Sequence, residues 1–212
     1  MSSTQPEDDG WISPSPATDV GPTDSFLGLD GTTVVDFWRF ALGDLRMNNA
    51  RGYLAEFIVT RALGVAAQRV EWAEYDVLFD DIKIEVKSSA YLQSWEQPRL
   101  SRITFTGLKG TRYTPRGGYD PAGKQFNADV YVFGVQTATD HTSYKVLDLT
   151  QWGFYVLPRT TLESRGYESI SLPALAGLTS TVPLDGLRDA VLAAAAVIRT
   201  TAGAPDPQAS DS

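Results

Sequence analysis

Glu74-Tyr-Asp-Val-Leu-Phe-Asp-Asp-Ile-Lys-Ile-Glu-Val-Lys87 is the stretch that decides the fold. Val77, Phe79, Ile82, Ile84 and Val86 are apolar and favour strands, and Asp80-Asp81 interrupts them. The pattern predicts two antiparallel strands joined at the two aspartates. A two-residue turn sets Phe79 opposite Ile82, Val77 opposite Ile84 and Asp76 opposite Glu85. Because side chains alternate along a strand, the five apolar residues share one face. Asp76, Lys83, Glu85 and Lys87 share the other. Directly paired residues have Cβ atoms about 4.5–5.5 Å apart, close enough for two carboxylates to hold one divalent cation. The plain alternative is a solvated face crossed by ion pairs. Two facing carboxylates repel, however, which a purely structural face does not favour.

Working outward, the 212 residues fit one domain with a sizeable core, and the 42% apolar content is that of a globular protein. No apolar run reaches the ~18 residues of a membrane span, and the N-terminus lacks a secretory pattern, so a cytoplasmic protein with no membrane partner is expected. The absence of cysteine excludes disulfides, thiolate zinc sites and cysteine nucleophiles. A net charge of −8 argues at first against a nucleic-acid partner. The excess is terminal: residues 1–36 hold seven acids and no Lys or Arg, whereas residues 37–199 hold 18 basic and 17 acidic residues. The expected organisation is a disordered acidic tail over 1–30, one α/β domain over 31–199 and a disordered tail over 200–212. Trp11 and Ile12 are the candidates for docking within the first tail.

Apolar spacing predicts helices over about 33–47, 50–63 and 183–199. Asn48-Asn49 would cap the second, and Gly64 would end it. Its apolar stripe is Leu54, Phe57, Ile58 and Ala62, and Glu56 lies off that stripe beside Tyr53 and Thr60. Further strands are expected over 103–106, 129–136, 143–149, 154–157 and 168–172. Between Glu96 and Asn127, Arg99, Arg102, Lys109, Arg112, Arg116 and Lys124 outnumber Glu96 and Asp120. Tyr113, Tyr119 and five glycines are interleaved. The segment reads as a mobile loop whose arginines contact phosphates and whose tyrosines stack on bases, or else as a plain solvated loop.

Several chemistries drop out. One histidine, His141, cannot build a histidine-rich metal site, and no Gly-x-Ser-x-Gly elbow or phosphate-cradling Gly-rich loop with its lysine occurs. Carboxylate chemistry is left, alone or with a metal.

A helix carrying Glu56, then Asp76, then Ile84-Glu-Val-Lys87 on the neighbouring strand resembles the PD-(D/E)XK, or restriction-endonuclease-like, nuclease superfamily. Asn49-Ala-Arg-Gly-Tyr-Leu-Ala-Glu56 is similar to its acidic first motif, and Gln93 falls where some branches carry a glutamine. Ala128-Asp-Val-Tyr-Val-Phe133 resembles the next core strand. Tyr75 stands where the motif has proline. The resemblance spans about residues 49–157. It implies a mixed four- to five-stranded β-sheet flanked by helices and a Mg²⁺-dependent DNA nuclease, with Mn²⁺ able to substitute. It also implies roles: Asp76, Glu85 and the Val86 carbonyl as metal ligands, Lys87 to orient water and stabilise charge, Glu56 for a second metal or a water, and Gln93 to position the lysine or the phosphate. Restriction, phage defence or repair would be its setting, and cutting at two strands would call for a homodimer or a partner protein. Two rivals stand beside it: a non-catalytic nucleic-acid-binding or assembly module of the same fold, and a metal-independent hydrolase using the carboxylate pair.

Overall fold

In the computed structural model, residues 10–12, 18–66, 69 and 73–202 are described. Of the two tails expected to be disordered, 1–9, 13–17 and 203–212 lie outside them. Residues 18–30, by contrast, are described and form backbone hydrogen bonds such as Phe26 N–H to the Thr32 carbonyl at 3.1 Å, and the last helix, Leu187–Ala202, takes in 200–202. The chain divides after Gly43 into two compact units. In the first, Ser25 and Thr33 form an isolated bridge, and α1 (Val34–Leu42) follows. Thr33 and Asp36 tie the helix start: Asp36 Oδ2 accepts from the Thr33 N–H at 2.9 Å. The helix is shorter than the 33–47 expected and ends at Gly43.

The second unit is organised by the central hairpin. β1 (Val77–Phe79) and β2 (Ile82–Ala90) pair antiparallel as Val77–Ile84, Leu78–Lys83 and Phe79–Ile82, the register expected of a two-residue turn. Asp80 and Asp81 have φ of +47° and +64°. Two successive left-handed residues make the tight turn whose twist matches the strands, although neither is glycine. Asp tolerates that region at a cost. Replacing the second aspartate (Asp81→Gly) is therefore expected to stabilise the protein by about 1 kcal/mol. Urea unfolding would show a higher midpoint at unchanged slope.

β6 (Val130–Gln136) lies parallel to β2 and antiparallel to β7 (Trp152–Pro158), giving a mixed four-stranded sheet in the order β1-β2-β6-β7. All seven residues of β6 are buried, as a strand covered on both faces requires. One face, with Val77, Phe79, Ile82, Ile84, Val86, Val130, Val132, Phe154 and Val156, packs on α2 (Asn48–Ala62) and α5 (Leu187–Ala202). The opposite face carries Tyr131, Phe133, Val135 and Leu157. They meet Ile103, Leu108, the short pair β3 (Thr104–Phe105) and β8 (Ile170–Ser171), and the small helices α3 (Arg159–Ser164) and α4 (Leu172–Ala176). The architecture is thus an α/β protein with a mixed sheet packed against helices.

Four sequence expectations need correction. The residue before α2 is Met47, and Asn48 is already helical; its Oδ1 accepts from the Arg51 guanidinium at 2.6 Å instead of capping. Phe57, assigned to the apolar stripe, is 55% exposed, because Ala50 and Ala55 let the helix approach the sheet on a face turned away from it. The expected strand over 143–149 is absent. Asp140 takes the Thr142 N–H, Gln151 takes the Lys145 N–H and donates to the Ser143 carbonyl, so side chains satisfy the backbone that a sheet would have used. The basic segment is only partly a loop: Arg99 and Arg102 lie in irregular chain, but β4 (Gly110–Thr114) and β5 (Gly118–Gln125) form a separate two-stranded hairpin, with Gly118 left-handed (φ +69°) at its tip. Pro121 is tolerated because each strand has an unpaired edge. Among the described residues no helix is long and apolar enough to cross a membrane.

Candidate active site

Asp76 stands one residue before β1, and the hairpin fixes it twice. Its N–H donates to the Ile84 carbonyl at 3.0 Å, and its Oδ2 accepts from the Val86 N–H at 2.7 Å. Val86, expected to serve through its carbonyl, here contributes its N–H as the group that orients Asp76. Glu85 and Lys87 project from the same face of β2, beside Tyr131 and Phe133 of β6 in register, and Lys87 Nζ meets Glu85 Oε1 at 2.5 Å. Helix α2 supplies Glu56, its side chain only 15% exposed and its Oε2 bonded to Arg69 Nε at 2.7 Å.

These three carboxylates sense one another. Burial raises the pKa of Glu85 above the usual carboxylate value, and the charge of Asp76 raises it further, against the pull of Lys87. Burial likewise raises Glu56, helped by Asp76 and opposed by Arg69. Asp76 is raised by burial, opposed first by the Val86 hydrogen bond and then by Lys87 and Arg69. The three acids share two cationic partners, Lys87 and Arg69, in a partly dry site, and burial outweighs what those cations contribute.

Two clefts meet at Asp76. One, about 440 Å³, is lined by Tyr53, Glu56, Phe57, Thr60, Tyr75 and Leu78 among others. The second, about 220 Å³, lies between Glu85 and Tyr131 on one side and Arg112, Tyr113, Tyr119 and Asn127 on the other. Gly107 also lines it, left-handed at φ +65°, and a Cβ there would stand 4.0 Å from Lys87 Nζ. The loop before β4 therefore passes close to the lysine.

The basic residues distribute unevenly. Arg112 reaches the second cleft, its Nε 3.2 Å from Asn127 Oδ1 and 3.6 Å from Glu74. Tyr113 and Tyr119 face each other across β4 and β5 with ring centroids 5.2 Å apart. Lys109 is engaged elsewhere, 3.6 Å from Glu168 and over the Phe126 ring. Arg99, Arg102, Arg116 and Lys124 are exposed and are not among the cleft-lining residues.

Gln93 is placed apart. It is 6% exposed, accepts from Arg51 at 3.3 Å and donates to the Ala90 carbonyl and to Ser101 Oγ. None of these partners belongs to the carboxylate cluster. Arg51, itself 5% exposed, depends on Gln93, Asn48 and the Arg46 carbonyl. Gln93→Ala is accordingly expected to cost about 1–3 kcal/mol of stability through a buried donor left unpaired. Thermal unfolding would register it, and a fall in turnover at unchanged stability would instead assign Gln93 to the chemistry.

Tyr53, Phe57, Tyr75, Arg69 and Asn127 join the site without having been singled out by the sequence as site residues. Tyr53, which shares a helical line with Glu56, and Tyr75, at the motif's proline position, each left a signal. In comparisons with protein-family models, curated proteins and solved structures, nothing matches the chain.

Among the described residues no group of three or more His, Asp or Glu converges tightly enough to enclose a metal ion. A closed cage is not what Mg²⁺ requires: it keeps several waters and is bound through one or two carboxylates plus substrate phosphates. An oxygen-only donor pair, Asp76 and Glu85, whose ionised forms burial disfavours, fits such an ion.

Proposed function

We propose that the chain is a Mg²⁺-dependent nuclease of the PD-(D/E)XK, restriction-endonuclease-like superfamily, hydrolysing DNA phosphodiester bonds. The observation that carries the reading is the constellation at the hairpin. Asp76, locked by the Val86 N–H, shares a cleft with Glu85, and Glu85 meets Lys87 on one strand face. Glu56 approaches Asp76 from α2.

Asp76 and Glu85 would hold the cation, and Glu56 would add a further oxygen ligand or orient water. The cation, when bound, acidifies water and offsets charge on the scissile phosphate. Lys87, a compact ammonium on a flexible stem, is suited to stabilise the charge that develops on the phosphate and to orient the attacking water. Binding of DNA brings phosphate charge beside Asp76 and Glu85, so the cation and Lys87 would both offset repulsion at the reacting group. Arg112 and the paired Tyr113 and Tyr119 provide a phosphate contact and a stacking surface across the second cleft. The separate β4–β5 hairpin gives these residues a fixed backbone.

The test is incubation of linear, circular and branched DNA with Mg²⁺ or Mn²⁺, beside an EDTA control. Cutting that requires the cation supports the proposal. Cutting of no DNA form in either metal would overturn it.

A further inference from the structure

The proposed reaction makes no use of the larger cleft apart from Glu56 and Asp76. Its walls are mainly apolar and aromatic: Tyr53 and Phe57 from α2, Tyr75 before β1, and Leu78 on β1. Tyr53 is 42% exposed and Phe57 55%. Large exposed rings side by side on an otherwise well-packed helix are an uneconomical way to face water. Phe57 is turned outward although the periodicity of α2 would have placed it in the core. The polar groups are Glu56, Thr60 and Asp76 together with Arg61 and Arg69, whose guanidiniums lie over one face of the Phe57 and Tyr53 rings at 5.1 and 4.7 Å from the centroids and leave the other face of each ring for a ligand. Asp76 also lines the second cleft with Glu85, so whatever fills the larger one lies directly beside the carboxylates that flank the reacting phosphate.

The nucleoside attached to that phosphate is the group within reach. A base has a π-face that aromatic rings recognise whatever its identity, and a polar edge that Thr60 and Glu56 can meet. A base inside an intact duplex has both faces covered by its neighbours and cannot enter. We infer that the Tyr53–Phe57–Tyr75 cleft binds an unpaired base next to the scissile phosphate, so that the substrate is DNA that is single-stranded at the point of cleavage. With Tyr113 and Tyr119 on the far side of the carboxylates, aromatic surfaces lie on both sides of the reacting group. The inference rests on the nuclease reading for its substrate.

The experiment uses full-length Lys87→Ala protein, which retains the cleft, and single-stranded oligonucleotides carrying one 2-aminopurine moved along the strand. In Mg²⁺, quenching is expected at one position and not at its neighbours, with the matched duplex bound at least about tenfold more weakly. Phe57→Ala and Tyr53→Ala should each weaken single-strand binding about tenfold and remove the quenching, Phe57→Trp should restore both, and Phe57→Leu should restore neither. In the protein with Lys87 intact, Phe57→Ala should raise KM for single strands with little change in kcat. Quenching unchanged in Phe57→Ala, or equal binding of single strand and duplex, would overturn the inference. These outcomes are separate from those of the nuclease reading. Loss of quenching with metal-dependent cutting retained removes the base site alone. Quenching retained with no cutting removes the nuclease and leaves the base site.

Discussion

Lys87→Ala is expected to lower metal-dependent DNA cleavage by at least about 10²-fold, with binding of DNA retained. Removing one well-placed stabilising donor from a reacting centre typically costs about 10²–10³ in turnover. Lys87 has the placement for that role: it projects from the same strand face as Glu85, meets that carboxylate, and lies under the loop at Gly107. Its loss also leaves Glu85 without the cation that opposes burial and Asp76, so the site becomes more negative where phosphate must approach. The affinity of DNA should fall modestly, with a salt dependence shallower by about one counterion. Arginine is not expected to substitute, because its planar fork is larger and is not a point charge. Single-turnover cleavage of one substrate by wild type, Lys87→Ala and Lys87→Arg, beside equilibrium binding, checks this. Wild-type cleavage by Lys87→Ala would remove the lysine from the mechanism.

The part of the site that was legible in the sequence is the part set by strand periodicity. Alternation of Val77, Phe79, Ile82, Ile84 and Val86 around two aspartates allows one register that buries all five, and that register brings Asp76 toward β2 and puts Glu85 and Lys87 on one face. Glu56 was legible more faintly, as a helical residue off the apolar stripe. What escaped depended on long-range packing or on side chains competing with backbone. Phe57 has the right spacing for the core, but Ala50 and Ala55 rotate the buried face of α2 away from it. Gly117, Gly118 and Pro121 gave the basic segment the composition of a loop, while Tyr113 and Tyr119 supplied the cross-strand pair that helps it form a hairpin. Gln93 followed the lysine at a suggestive distance in sequence, yet the turn after Ala90 carries it into the Arg51 network. Spacing along a strand fixes a face only while the strand continues.

The second large effect joins stability to the cation. Asp76 and Glu85 have pKa values raised by burial in the folded chain. A carboxylate raised on folding binds more protons in the native state than in the unfolded one between the two pKa values. Stability is therefore fully present below the unfolded value, about pH 4, and is lost as pH rises through the raised folded value. At pH 7 in EDTA the pair should contribute less to stability than at pH 4, and Asp76→Asn should melt higher than wild type. Asparagine keeps an oxygen to accept from the Val86 N–H, so the hairpin contact survives. The gain should amount to about 2–4 °C for each kcal/mol of relief and should vanish near pH 4. Saturating Mg²⁺ reverses the comparison. An ion that binds only the native state at one hundred times its Kd adds about 2.7 kcal/mol, or about 5–10 °C here, to wild type. Asp76→Asn, lacking one of the two ligands, should gain little and should no longer cut DNA. Melting curves for both proteins, in EDTA and in Mg²⁺ at pH 4 and pH 7, decide the matter. If Mg²⁺ raised both equally, the ion would be binding elsewhere. If Asp76→Asn melted lower than wild type in EDTA, the buried carboxylate would be held by favourable hydrogen bonds strong enough to outweigh its burial, and the site would have no deficit for a cation to fill.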